Sequence, residues 1–169
     1  IEPTLIDSIK KHFKIDTPTR IQSTASTVIF DRSACFLQAS TGSGKTLAFL
    51  LPVLTQLKLT DRETRLAARA PELFSRPVPS TGIRAVFIVP TPELAQQLLS
   101  RVRTLLSDSS LTVALLASGS DACDPESIQK QNLLSQCPDI VIGTPKRILS
   151  IFFPHLSKRP LEKKDKISL

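Results

Sequence analysis

The stretch CFLQASTGSGKTLAFLLPVL, residues 35–54, decides the fold. Its opening apolar residues, 35–39, read as a short buried strand. The small-residue loop ASTGSGKT follows, from Ala39 to Thr46, and apolar spacing then predicts a helix over 46–57. Strand, glycine loop and helix in that order are what a phosphate loop needs. Glycines at 42 and 44 let the backbone wrap closely around an anion, because no Cβ obstructs and positive φ is cheap. Consecutive N–H groups then point at the β-phosphate, and the start of the helix adds partial positive charge. Lys45 supplies a full charge to the β- and γ-phosphates, and the Thr46 hydroxyl is placed to ligate Mg2+. The general pattern is G-x-x-x-x-G-K-[ST], with Ala39 here at the first glycine position. A glycine turn without a ligand is the alternative, and it leaves the ordered lysine, hydroxyl and helix unexplained. The loop itself specifies a nucleoside triphosphate and no particular reaction.

The rest of the chain repeats the same alternation. Upstream, helices are predicted over 5–13 and 21–30, separated by a turn at Asp16-Thr17-Pro18. Downstream, 58–82 is rich in charge and proline and includes RAPELFSRPVPSTG. It reads as a basic surface insertion with a short helical turn near 62–70. Strands are then predicted over 84–89, 111–117 and 139–142, and helices over 92–106, 126–136 and 145–153. The tail over 157–166 is charged, and Ile167-Ser168-Leu169 reads as a strand just begun. The strands are continuous apolar runs, as expected when both faces are buried. The fold class is therefore α/β, a doubly wound parallel sheet with ligands at the carboxyl ends of its strands.

Composition narrows the function. The 169 residues suit one domain, and no apolar run reaches the ~20 residues of a membrane span, so no membrane partner is expected. No secretory leader pattern is present, and a chain opening on Ile1 is expected to begin further upstream. The net charge of +7 favours a polyanionic partner, nucleic acid above all. Cys35, Cys123 and Cys137 form no C-x-x-C pair, which suggests a reducing, intracellular setting and no zinc site. With Trp and Tyr absent, stacking within the chain would have to come from Phe or His.

Further motifs stand in order around the loop: PTRIQ (18–22), PTPELAQQ (90–97), SGS (118–120) and GTPKRIL (143–149). With the A-x-T-G-x-G-K-T form of the loop, they resemble the DEAD-box RNA helicases over essentially the whole chain. The resemblance implies a P-loop NTPase, RecA-like fold divided into a Q-motif helical region at 1–34 and a partial first ATP-binding domain at 35–169. It implies ATP and Mg2+ as cofactors and RNA, bound through its phosphate backbone, as partner. The cofactor site it implies comprises Ile15, Arg20, Gln22, Ser40, Thr41, Gly42, Ser43, Gly44, Lys45 and Thr46, with Lys45 and Thr46 catalytic and Thr46 on Mg2+. Gln22 has both a donor and an acceptor, which suits the N6 and N7 edge of adenine; a surface helix residue is the alternative. The implied RNA contacts are Pro90, Thr91, Glu93, Gly119, Thr144 and Arg147. Each Thr-Pro pair, at 91–92 and at 144–145, also reads as a helix cap followed by a first-turn proline.

The chain departs from the family pattern at several places. Lys14-Ile15 stands where the family has Gly-Phe, Pro92 where PTRELA has arginine, and Lys146 where TPGR has glycine. An altered RNA surface follows. The family's D-E-A-D stretch, its S-A-T motif and its second RecA-like domain are expected beyond Leu169. Asp139 falls at the wrong end of the sheet to replace the missing acids, and Asp121 and Asp124 read as turn residues. Residues 1–169 are therefore expected to bind nucleotide without hydrolysing it, as part of an ATP-dependent RNA helicase. The alternative is a helicase-like module without turnover that sits on a large ribonucleoprotein.

Overall fold

The computed structural model of the chain describes residues 1–69, 82–118 and 125–157. Among them three parallel strands form one sheet in the order β1 (Ala85–Ile88), β3 (Ile140–Gly143), β2 (Val113–Leu116). Ala85 and Val113 both stand level with Ile140. Central β3, Ile-Val-Ile-Gly, is buried throughout, as a strand covered on both faces must be. Its side chains alternate between two cores. Ile140 and Ile142 join Leu5, Ile9, Leu50, Leu54, Leu98 and Val102, whereas Val141 joins Leu116, Leu133, Ile148 and Ile151 on the other face.

A carboxylate sets the amino end of the sheet. Asp139 Oδ1 accepts bonds from Arg84 Nη2 at 2.8 Å and Nε at 3.1 Å, and Oδ2 accepts from Thr112 N at 2.8 Å. Strand β1 departs from the two-sided burial expected of it. Val86 is 48% and Ile88 59% exposed, because this edge strand buries only alternate residues.

The helices follow the sequence closely. α1 (Pro3–Ser8) runs into a π-turn (Ile9–Phe13) that ends on Lys14, whose φ of 54° is left-handed. α2 is Arg20–Phe30, α4 Pro92–Leu105, α5 Glu126–Gln136 and α6 Pro145–Phe152, with a final turn, α7, at Pro154–Ser157. α1 and the π-turn contribute Leu5 and Ile9 to the same core as the helix after the phosphate loop.

Two expectations are corrected. Residues 35–39 form no strand, and Phe36 is 88% exposed. An apolar run can be buried as a strand only where a neighbour takes up its N–H and C=O groups, and no described strand pairs with this one. Residues 58–69 are not insertion but the end of α3 (Lys45–Arg69), a 25-residue helix. Asp61 and Arg65 pair one turn apart at 3.2 Å, Lys58 reaches Glu2 at 3.3 Å, and Leu57 is buried, so charge here covers a helix rather than a loop. The remainder of the expected insertion and the expected strand start at 167–169 lie outside the described residues.

Candidate nucleotide and nucleic-acid sites

The phosphate loop is held from outside by α2. Thr19 caps that helix: its N–H donates to Gln22 Oε1 at 3.0 Å, and Gln22 reaches back from the third helical position. Both residues then turn their remaining groups on the loop. Thr19 Oγ1 donates to the Ser43 carbonyl at 3.0 Å and Gln22 Nε2 to the Gly44 carbonyl at 3.3 Å. Gln22 is buried at 5% exposure, so it is not a surface helix residue. One Oε1 lone pair and one Nε2 hydrogen remain for a ligand.

This close approach is what Gly44 permits. Its φ is +92°, and a Cβ there would lie 2.4 Å from Gln22 Nε2. Gly42, at φ +80°, faces open space and serves the curve of the loop alone. Lys45 begins α3 and folds back across the loop. Its Nζ donates to the carbonyls of Ala39 and Ser40, each at 2.6 Å. The ammonium is thereby fixed over the loop. The Thr46 hydroxyl makes no hydrogen bond with any described residue. The Ser43 hydroxyl is buried and also lacks a partner there.

Two clefts flank the loop. One, of about 520 Å3, is lined by Thr41, Gly42, Gly44 and the first turn of α3, Lys45 to Leu47, and by Phe13, Ile15 and Arg101. The other, of about 580 Å3, lies between α2 and residues 36–39 and takes in Arg20 and Ser43. The structure thus gathers Ile15, Thr41, Gly42, Gly44, Lys45 and Thr46 in one place, sets Arg20 and Ser43 on the other side, and uses Gln22 as the tie between loop and helix. Ser40, at the exposed crest, holds the lysine through its carbonyl. Phe13 and Arg101 belong to no sequence motif, and only the packing of the π-turn and α4 brings them here.

The Thr-Pro turns meet at the carboxyl end of the sheet, where Val89 N donates to the Gly143 carbonyl at 3.0 Å. Pro90, Thr91 and Glu93 are exposed. The Thr91 hydroxyl accepts from Leu94 N at 3.3 Å, a helix cap, and the Glu93 carboxyl is held below the usual range by its own N–H and by the Thr91 hydroxyl. Thr144 takes the cap position of α6, but its side chain makes no cap bond, and it is buried. Arg147 is also buried, with Nη1 2.6 Å from Glu126 Oε2 and Nε without a partner among the described residues. Lys146, beside it, is exposed. Gly119 lies outside the described residues.

Parallel strands, a glycine loop opening a helix and helices on both sheet faces define a RecA-like α/β domain. Solved structures agree. A hypothetical ATP-dependent RNA helicase from Sulfolobus tokodaii superposes with a TM-score of 0.65 at 22% identity, over 92% of this chain and 38% of that one. Mss116p, solved with single-stranded RNA and AMP-PNP, gives 0.65 and 22% over 89% of this chain and 27% of its own. The family profile "DEAD/DEAH box helicase" matches residues 19–167, and the chain belongs to that family. DEAD-box ATP-dependent RNA helicase 47B of Oryza sativa subsp. japonica is 33% identical over 89% of the chain and 24% of its own length. ATP-dependent RNA helicase mak5 of Emericella nidulans is 36% identical over 89% and 18%. The chain therefore spans about a quarter or less of these curated relatives.

Proposed function

We propose that the chain is the nucleotide-binding part of an ATP-dependent RNA helicase. The observation that carries this is the glycine loop at the head of α3, closed by Lys45 and tied by Thr19 and Gln22, beside a cleft large enough for a nucleotide. Loop N–H groups and the start of α3 bind phosphates, Lys45 moves from its carbonyls to phosphate oxygens, and Ile15 with Phe13 offers an apolar wall to the rest of the ligand. Among the described residues no cluster of three metal-ligating side chains exists. The free Thr46 hydroxyl fits Mg2+ that arrives with the phosphates, and that ion supplies neutralisation of charge during phosphoryl transfer. Pro90, Thr91 and Glu93 at one turn and Lys146 at its neighbour present an RNA backbone site, sequence-independent and salt-sensitive.

The test is ADP titration of the protein and of Lys45→Ala, followed by ATP turnover with and without RNA. Loss of binding in the variant is expected, with RNA-stimulated turnover by the full-length protein and none by residues 1–169; equal binding by parent and variant would refute the site. A second reading, a module resident on a large ribonucleoprotein without turnover, is favoured by the pairing of Arg147 with Glu126, which takes up a cation otherwise offered to RNA. Full complementation by Lys45→Ala in cells would select it.

A further inference from the structure

Lys45 is not the only cation lining the cleft beside the phosphate loop. Arg101, from the exposed side of α4, lines the same cavity as Thr41, Gly42 and Thr46. It makes no hydrogen bond or ion pair with any described residue. No acidic side chain among the described residues lines the cavity, and Phe13 and Ile15 give its lining an apolar part. Two cations, no anion and an apolar wall form a receptor for a polyanion with a flat apolar moiety. Lys45 is already engaged by two carbonyls. Arg101 is the cation whose donors are all uncommitted, and a guanidinium fork matches phosphate oxygens two at a time.

We propose that Arg101 is a nucleotide-binding residue that meets the terminal phosphates of a nucleoside di- or triphosphate seated on the loop. This rests on the nucleotide-site reading above and deepens it, since no motif includes this position. The contact lies in an open, wet cleft, so it contributes moderately and is weakened by salt. A contact to the terminal phosphates distinguishes ligands by phosphate number, favouring ADP and ATP over AMP.

The test uses the full-length protein and its Arg101→Ala, Arg101→Lys and Lys45→Ala variants, titrated with ADP and with AMP in competition with a fluorescent ADP. Arg101 is exposed, and alanine suits a helix, so the variant is expected to melt with the parent. Arg101→Ala should weaken ADP about five- to twentyfold and AMP by less than about twofold, with lysine restoring part of the loss. An unchanged ADP affinity would overturn the proposal, as would equal losses for ADP and AMP, which would put the arginine on the base or ribose. If the parent does not bind ADP, or Lys45→Ala binds it equally well, the nucleotide site itself fails. If Lys45→Ala loses ADP and Arg101→Ala does not, only the assignment of Arg101 fails.

Discussion

Gly44→Ala tests whether the phosphate loop is fastened by the helix that precedes it. At φ +92° the residue lies outside the small left-handed well that side chains accept, a strain of about 1–3 kcal/mol. The new methyl would also meet Gln22 Nε2 at 2.4 Å, so the amide must swing away. It then gives up its bonds to the Gly44 carbonyl and to Thr19 N, each worth about 1 kcal/mol net. The single substitution should therefore destabilise by about 3–5 kcal/mol in urea denaturation followed by circular dichroism. Gln22→Ala removes the same two bonds without straining the loop. In the double variant those bonds are lost only once, so its cost should fall short of the sum of the singles by about 2 kcal/mol. Identical costs of Gly44→Ala with and without Gln22 would show that loop and helix are independent, and the fastening would be wrong.

Three further outcomes are expected. Lys14→Gly should stabilise the protein by about 1 kcal/mol in the same denaturation assay, because Lys14 occupies a left-handed conformation at φ 54° where glycine is unstrained. Arg147→Ala should destabilise it by about 1–3 kcal/mol, since a buried guanidinium paired at 2.6 Å is removed and Glu126 is left alone; an unchanged melting temperature with weakened RNA binding would instead mark Arg147 as an RNA contact. Burial pushes the Glu2 carboxyl up, but the Thr4 hydroxyl, the Lys58 ammonium and the Leu5 N–H outweigh it and hold it below the usual range. Its contribution is then complete above the ordinary carboxylate pKa and lost as pH falls through the lowered value. Glu2→Gln should accordingly destabilise near pH 7 and make little difference at about pH 2, as read from melting curves across pH.

Much of the architecture was legible because its determinants are local. Glycine, lysine and threonine in tight sequence specify the loop and the start of α3, and threonine followed by proline marks the starts of α4 and α6. The unpaired state of residues 35–39 was not legible, since whether an apolar run is buried depends on its neighbours across a sheet. The helical character of 58–69 was masked by its charge, although Asp61 and Arg65 stand at the spacing of a helix pair and no proline or glycine interrupts until Pro71. Gln22 was marked for adenine by its chemistry; only three-dimensional proximity shows that it is also bound to the loop. Arg101 and the Glu126–Arg147 pair had no signal at all, because residues far apart in sequence become partners only after the helices pack.

The carboxylate of Asp139 has a consequence for how the sheet assembles. Parallel strands cannot be joined by a hairpin, so each pairing must be found across a long intervening segment, and sliding by one residue would turn a strand inside out. Asp139 binds Arg84 across 55 residues of sequence and Thr112 across 27. Both searches end on the same carboxylate, one at each oxygen, immediately before the strand that both neighbours share. One carboxylate therefore ties the central strand to both of its neighbours, and losing it would loosen the register on both sides at once.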